Sequence, residues 1–317
     1  MTDSPSARVD RIQVVRDAAS STRRLFPSLP YLALVFGLAA IGSSAIFVKW
    51  ANAPGPVTGF YRMSIASVLI ALPFAVQVRR QSSLSMRHLG FALLAGFFFA
   101  GDLATWNTAV VLGNAANATL IGNTSPIWVG LGAMVLFKER LRSAFWVAIL
   151  ITMLGVTVIL GEDFFIHPTL GFADLLSLVA GFSYAMFFLA TQRARDGLSS
   201  LTSWWVSAAS STAILLALSF AFQQPLLGYS TQSYASMVAL ALVTQVAGWL
   251  ALNYSLGHLS ASVVSATMLG QPVITAILGV PLLNQSISFL QMIGGIIVLA
   301  GILMVHRTNT QRSVSRD

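Results

Sequence analysis

Cysteine is absent from this chain of 317 residues, and charged residues make up only 9% of it. Without cysteine there are no disulfides, thiolate nucleophiles or cysteine-ligated metals. The four histidines are scattered without the spacing of a metal site. A soluble domain carries about 25% charged residues, so this composition cannot cover a surface that faces water. Hydrophobic residues make up 56% of the chain and its mean hydropathy is +0.77, which predicts an integral membrane protein.

Ten stretches are long and apolar enough to cross a bilayer, which takes about 20 residues each. Proline, glycine, asparagine and clusters of charge separate them. Their approximate bounds are 30–50, 57–78, 88–111, 115–137, 143–161, 169–191, 200–223, 232–256, 260–282 and 287–306. The polar, arginine-rich segment 1–29 shows no cleavable signal sequence. We therefore expect polar cytoplasmic tails at 1–29 and 307–317.

The basic residues are distributed unevenly between the connections. Sixteen of the 18 fall in the two tails and in the second, fourth and sixth connections, whereas the connections between these carry none. Cytoplasmic segments of membrane proteins are enriched in Lys and Arg. We therefore predict ten spans in the cell inner membrane, with both termini in the cytoplasm. The net charge of +8 is then a topology signal, and no nucleic-acid partner is expected.

The chain contains an internal repeat, which constrains its architecture. At an offset of 146 positions the aligned pairs include Asn107/Asn253, Ala115/Ala261, Pro126/Pro272 and Gly155/Gly301, and a weaker match aligns Ile41–Ser44 with Ala180–Ser183. Each unit then has five spans, at about 30–161 and 169–306. Because five is odd, the second unit must be inverted relative to the first. Inverted repeats are typical of secondary transporters.

Several short motifs accompany this repeat. They are Pro56-x-x-x-Phe60-Tyr61-Arg62 at the start of the second span, Pro126-Ile127-Trp128 in the fourth, Phe137-Lys138-Glu139-Arg140-Leu141 at its end, and Gln271-Pro272-Val273 in the second half. In their order and duplication they resemble the EamA branch of the drug/metabolite transporter superfamily over about residues 30–306. The resemblance implies an all-α fold of ten transmembrane helices, in two inverted five-helix repeats around a central cavity. It also implies transport of small metabolites, and within the superfamily the sequence resembles the YddG-type amino-acid exporters.

Two prolines in the middle of equivalent spans point to the position of a substrate site. Proline interrupts a helix, and paired interruptions in the two halves of a transporter mark its binding site. A kink that only shapes helix packing is the alternative. The predicted residues of the site are Asn123, Ser125, Thr267 and Gln271 as polar contacts, Trp106 and Trp128 as aromatic walls, and Pro126 and Pro272 as helix breaks. Asn107 and Asn253, at the ends of their spans, are interpreted as gate pivots or as caps of the adjacent hairpins.

Four ionisable residues lie at membrane depth, where each charge costs about 2.5–3.5 kcal/mol at a helix centre. Lys49 can extend its ammonium group to the surface, and Asp174 can stabilise the N-terminus of a helix. Arg62 and Asp102 are deeper and lie at similar depths. We therefore predict that these two residues pair in the cavity and bind a zwitterionic substrate; a purely structural salt bridge is the alternative.

These features favour a secondary carrier that works by alternating access, with amino acids as the expected substrate and no enzymatic activity. The glycine-rich phosphate loop of ATP-driven transport is absent. A membrane enzyme and a passive channel are the alternatives. The sequence lacks the clustered acidic or histidine residues of an enzyme and the filter ring of a channel. We expect no cofactor or metal, and a monomer whose partners are the lipid bilayer and a small-molecule substrate.

Overall fold

The computed structural model describes residues 29–79, 84–112, 115–166, 171–283 and 287–314, and the regular structure within these ranges is entirely helical. Ten segments of this described part are long and apolar enough to cross a membrane, as predicted. They are numbered here as spans 1 to 10: Leu29–Ala51, Gly55–Arg79, Met86–Ala109, Thr119–Leu136, Ser143–Leu160, Phe172–Arg195, Ser200–Ala221, Thr231–Leu256, Ala261–Leu282 and Phe289–Arg307. The predicted all-α membrane fold with ten spans is thus confirmed.

Six spans are built from single helices and four are interrupted. The single helices are Gly55–Arg79, Met86–Leu112, Ser143–Ile166, Phe172–Arg195, Ser200–Ala221 and Phe289–Val314. Span 1 consists of Leu29–Gly42 and Ser44–Ala51, span 4 of Ala115–Gly122 and Ser125–Leu136, and span 9 of Ala261–Met268 and Gln271–Leu283. Span 8 consists of Thr231–Ala239 and Leu250–Leu256, joined by the π-helix Leu240–Trp249.

Some helices extend beyond their predicted ends. Span 6, predicted at 169–191, ends at Arg195, because cations in the last turn of a helix stabilise its C-terminus. The helix of span 10 continues to Val314, into the segment 307–317 that we expected to be a tail. The other predicted tail, 1–29, lies outside the described residues except for Leu29.

The breaks in spans 4 and 9 each lie directly before the predicted proline. Pro126 and Pro272 are the second residues of the new helices. In the first turn of a helix the missing N–H of proline costs no hydrogen bond. Thus each proline allows the helix to restart after a two-residue interruption, at 123–124 and 269–270.

The two breaks are packed by equivalent residues of the two units. A Cβ atom at Gly181 of span 6 would lie 2.9 Å from the carbonyl oxygen of Gly122, at the break in span 4. A Cβ atom at Gly42 of span 1 would lie 2.7 Å from the Cβ of Ile274, just after the break in span 9. Gly42 and Gly181 are aligned in the weaker repeat match. The contact between spans 1 and 9 therefore repeats the one between spans 6 and 4.

Spans 5 and 10 pack closely against each other in opposite directions. A Cβ atom at Gly155 would lie 2.7 Å from the oxygen of Gly294, and one at Gly301 would lie 3.0 Å from the oxygen of Ala148. The contact of span 5 moves from Ala148 to Gly155 as that of span 10 moves from Gly301 back to Gly294, so the two helices are antiparallel. This direction is consistent with the inverted second unit, which stays a prediction.

Candidate substrate cavity

A cavity of about 300 Å³ lies at the centre of the bundle. Residues from spans 1 to 6 and from spans 8 to 10 line it, so both predicted units contribute to its wall. This volume is at the lower end of the range of about 300–1,000 Å³ that is usual for ligand pockets. The cavity therefore suits a small solute.

The cavity extends from the middle of the bundle towards one face. Leu160, near the end of span 5, and Gln291, near the start of span 10, mark that side of its wall. Because successive spans alternate in direction, the connections 137–142 and 196–199 lie at the opposite face, which we call the basic face. The predicted orientation makes the basic face cytoplasmic.

Towards the basic face a cluster of aromatic rings closes the cavity. Phe99, Phe187, Trp204 and Trp249 are at most 2% exposed. The distances between the centroids of their contacting rings range from 4.7 to 6.0 Å. Aromatic rings at these separations attract each other beyond their burial alone. Phe99 and Trp249 also line the cavity, so the cluster forms its floor.

Hydrogen bonds between the two units hold the basic face together. The Ser262 hydroxyl donates to Oε2 of Glu139 at 3.0 Å, and a terminal nitrogen of Arg193 donates to the carbonyl oxygen of Leu136 at 2.6 Å. Ser255 also donates to a main-chain oxygen of span 1, at 2.9 Å. The structure thus has a cavity that is closed towards the basic face.

Arg62 of span 2 lines the cavity, and two residues of span 8 hold its guanidinium group. Its Nη2 donates to Oγ1 of Thr244 at 3.4 Å. Its Nε and Nη2 both donate to the amide oxygen of Gln245, the latter at 2.6 Å. The orientation of this amide follows from the bonding, because only its oxygen can accept. Nη1 has no partner among the described residues and is not shut off from the cavity.

Asp102 of span 3 lines the same cavity, but the predicted ion pair with Arg62 is not formed. Within the described ranges, Arg193–Asp196 is the one pair of charged side chains closer than 4.0 Å. The prediction was wrong: Nε and Nη2 of Arg62 bond to Thr244 and Gln245 instead, and Nη1 lies farther than 4.0 Å from the Asp102 carboxylate. Arg62 and Asp102 still interact electrostatically. No hydrogen bond to the Asp102 carboxylate is formed by the residues that the structure describes.

Four more of the predicted site residues lie in the wall: Trp106, Asn123, Gln271 and Pro272. Asn123 lies at the break in span 4, and its buried Nδ2 has no partner in the described part of the chain. A buried donor without a partner costs about 1–3 kcal/mol. The donor has almost no accessible surface in this state, so a solute or a water molecule reaches it only if the break in span 4 moves.

Four of the predicted residues in spans 4 and 9 do not line the cavity. Ser125 and Pro126 are buried, and the ring of Trp128 packs against Phe182 at 5.8 Å. Thr267 bonds to Nε2 of His306 at 2.9 Å. Successive residues of a helix point in directions about 100° apart, so residues only two positions beyond a cavity-lining residue can face other helices.

Asn107 and Asn253 also lie outside the cavity wall. Nδ2 of Asn107 donates to the oxygen of Leu103 at 2.6 Å and to that of Gly55 at 3.5 Å. The main-chain oxygen of Asn253 accepts from Nε of Arg195 at 2.9 Å. The side chain of Asn107 thus contacts the start of span 2, whereas both side-chain polar atoms of Asn253 are buried without a partner among the described residues. The role of either asparagine as a hairpin cap or as a gate pivot stays a prediction.

The remaining ionisable residues at membrane depth lie away from the cavity. Lys49 is exposed. Oδ2 of Asp174 accepts from the main-chain N–H of Gly171 at 2.8 Å, at the N-terminus of the helix of span 6. Lys49 is thus placed to extend its ammonium group to the surface, and Asp174 to stabilise the N-terminus of a helix. Neither role involves a substrate.

Tyr184 of span 6 belongs to the wall and was missed by the sequence analysis. Its side chain interacts with those of Gln271 and Asp102. The weaker repeat match, extended by one residue, aligns Tyr184 with Ala45, and both line the cavity. Since no pattern in the sequence places Ala45 in the wall, this alignment by itself could not have identified Tyr184. Other polar wall residues that were missed are Ser44, Thr119, Thr275 and Gln291.

Ten spans, paired helix breaks and a central cavity are typical of polytopic membrane transporters. The sequence profile of the EamA-like transporter family matches residues 28–161 and 171–307, once in each predicted unit. The chain belongs to this family.

The chain is similar to several other transporters. An uncharacterized transporter of Archaeoglobus fulgidus is 26% identical over 252 residues, which cover 77% of this chain and 85% of that protein. The uncharacterized transporter YdfC of Bacillus subtilis is 23% identical over 279 residues, covering 84% and 90%. A crystal structure with 15% identity superposes with a TM-score of 0.70 over 87% of this chain and 95% of the other. This last similarity shows a shared fold.

Proposed function

We propose that this transporter is a secondary exporter of small zwitterionic metabolites, amino acids first among them, that works by alternating access across the inner membrane. The observation that carries the proposal is that Arg62 and Asp102 line one cavity and are not bonded to each other. Nη1 of Arg62 is available to a carboxylate, and the carboxylate of Asp102 is available to an ammonium group. A zwitterion satisfies both.

The rest of the wall suits the side chain of an amino acid. Phe99, Trp106 and Trp249 supply aromatic surface, which stabilises apolar and aromatic groups. The resemblance to YddG-type exporters supports both amino acids as substrates and outward transport. We propose that the protein acts as a monomer with both termini in the cytoplasm.

The closure of the cavity supports the alternating-access mechanism. Such a carrier must open its site to one side while the other is closed. Here aromatic rings and hydrogen bonds between the units close the basic face, and the cavity extends towards the opposite one. The breaks in spans 4 and 9 give each half-helix a place to tilt, next to the polar groups of Asn123 and Gln271.

Counterflow in proteoliposomes tests the proposal. Liposomes that contain the protein and are loaded with L-phenylalanine should transiently accumulate labelled L-phenylalanine, whereas a passive channel or an enzyme gives no overshoot. Asp102→Asn should lower the uptake about tenfold or more, because the ammonium group loses its charged partner, worth about 1.5–3 kcal/mol. Asp174→Asn is the matched control, since that carboxylate lies outside the cavity. Wild-type rates in Asp102→Asn, or transport of uncharged solutes alone, would contradict the proposal.

A further inference from the structure

Span 8 is irregular where it meets Arg62. Residues Leu240–Trp249 form a π-helix, a conformation that is rare and frequently found at functional sites. Its counterpart in the first unit, span 3, is a regular α-helix. At the offset of 146 positions, Thr244 and Gln245 replace Phe98 and Phe99. The second unit therefore has both an unusual backbone and polar side chains at this position.

The two polar side chains are fully buried and both bond to one guanidinium group. Thr244 and Gln245 are each 0% exposed. The Thr244 hydroxyl donates its hydrogen to the oxygen of Leu240 at 2.6 Å, so its lone pairs are left to accept from Arg62. The amide oxygen of Gln245 accepts from Nε and Nη2 of Arg62. Three of the five N–H donors of an arginine are thereby occupied, and the two on Nη1 remain.

We propose that Gln245, assisted by Thr244, is a positioning residue that determines substrate selectivity. Across the boundary between the units it holds Arg62 so that Nη1 binds the carboxylate group of the substrate. The inference rests on the proposed function, in which a zwitterion binds between Arg62 and Asp102. It adds that recognition of the carboxylate depends on residues that do not line the cavity themselves.

Three probes separate positioning from general support of the fold: L-phenylalanine, 3-phenylpropanoate, which lacks the amine, and 2-phenylethylamine, which lacks the carboxylate. Their binding to the purified protein can be followed by the fluorescence of the tryptophans in the wall. In Gln245→Leu the Kd of the two carboxylates should rise about tenfold, the equivalent of one hydrogen bond to a charged group. The Kd of phenylethylamine should change less than about twofold.

Two further variants complete the test. Gln245→Glu keeps oxygen acceptors but adds a negative charge beside Arg62, so it should weaken the binding of both carboxylates relative to that of phenylethylamine. Thr191→Val is the matched control, because the Thr191 hydroxyl is buried without a partner among the described residues; it should bind all three probes like the wild type. If Gln245→Leu does not accumulate as folded protein, Thr244→Val takes its place. The quantity compared is then the same: the Kd of each carboxylate divided by the Kd of phenylethylamine.

The inference is overturned if Gln245→Leu, or Thr244→Val in its place, leaves unchanged the ratio of the Kd of the carboxylates to the Kd of phenylethylamine. An equal rise for all three probes has the same meaning, since it indicates structural support alone. Arg62→Ala distinguishes this failure from that of the proposed function. If Arg62→Ala lowers the affinity for carboxylates and Gln245→Leu does not, only the role of Gln245 is refuted. If neither does, the proposed site is refuted as well.

Discussion

Replacing Gly181 by alanine should destabilise the protein, because span 6 runs directly across the break in span 4. The new Cβ would lie 2.9 Å from the oxygen of Gly122, 3.2 Å from Oγ1 of Thr124 and 3.3 Å from the oxygen of Ile121. Contacts between carbon and a carbonyl oxygen are ordinarily about 3.3 Å or longer. The helices must therefore separate by roughly 0.4 Å, the difference between the two distances.

The expected cost follows from two opposing effects. Overpacking a close contact costs about 1–3 kcal/mol, while alanine is favoured over glycine within a helix by about 0.5–1 kcal/mol. We expect a net destabilisation of about 1 kcal/mol, together with weaker substrate binding, because the displaced segment carries Asn123. The loss of binding would come from the shift of Asn123, which lies in the cavity wall.

The measurement is the thermal unfolding of the detergent-purified protein, with and without L-phenylalanine. Gly90→Ala is the matched control, since Gly90 is also helical and a Cβ there would meet nothing within 4 Å; its melting temperature should equal or exceed that of the wild type. If Gly181→Ala is as stable as Gly90→Ala and binds substrate equally well, the close packing of span 6 on the break has no energetic consequence and the reasoning is refuted.

Two further predictions concern topology and access to the cavity. Reporter fusions at Arg307 should read cytoplasmic and those at Gln224 external, and an external reading at Arg307 would contradict the predicted orientation. Because the chain has no cysteine, single cysteines can be introduced without further changes. Asn123→Cys should react with a water-soluble maleimide more slowly in the presence of L-phenylalanine, whereas Ser207→Cys, in a fully buried position, should not react; an inert Asn123→Cys in active protein would refute the cavity assignment.

Much of the fold could be predicted because the bilayer restricts a chain strongly. Within hydrocarbon every backbone polar group must be bonded internally, so apolar stretches of sufficient length become helices. The count of ten spans follows from this rule. The breaks before Pro126 and Pro272 were also accessible from the sequence, since proline cannot continue the hydrogen bonding of the preceding turn.

The candidate site was accessible only in part. Asn123 and Gln271 lie in the cavity wall, as their positions near the helix breaks suggested, and Trp106 lies there as a predicted aromatic wall residue. Ser125 and Thr267 belong to the same short segments, but they point towards other helices. Composition and spacing identify which segment approaches a site, whereas the rotation of each helix about its axis depends on the packing of its neighbours.

The sequence alone thus determined the membrane class, the number of spans, the repeat and the position of the helix breaks in spans 4 and 9, because each depends on local composition or on comparison of the chain with itself. Only the tertiary structure decided the partners of Arg62. It bonds to Thr244, which is 182 positions away, and to Gln245, rather than to Asp102. A buried guanidinium group bonds to whichever acceptors the packing of distant helices brings within reach, and no local pattern in the sequence records that arrangement.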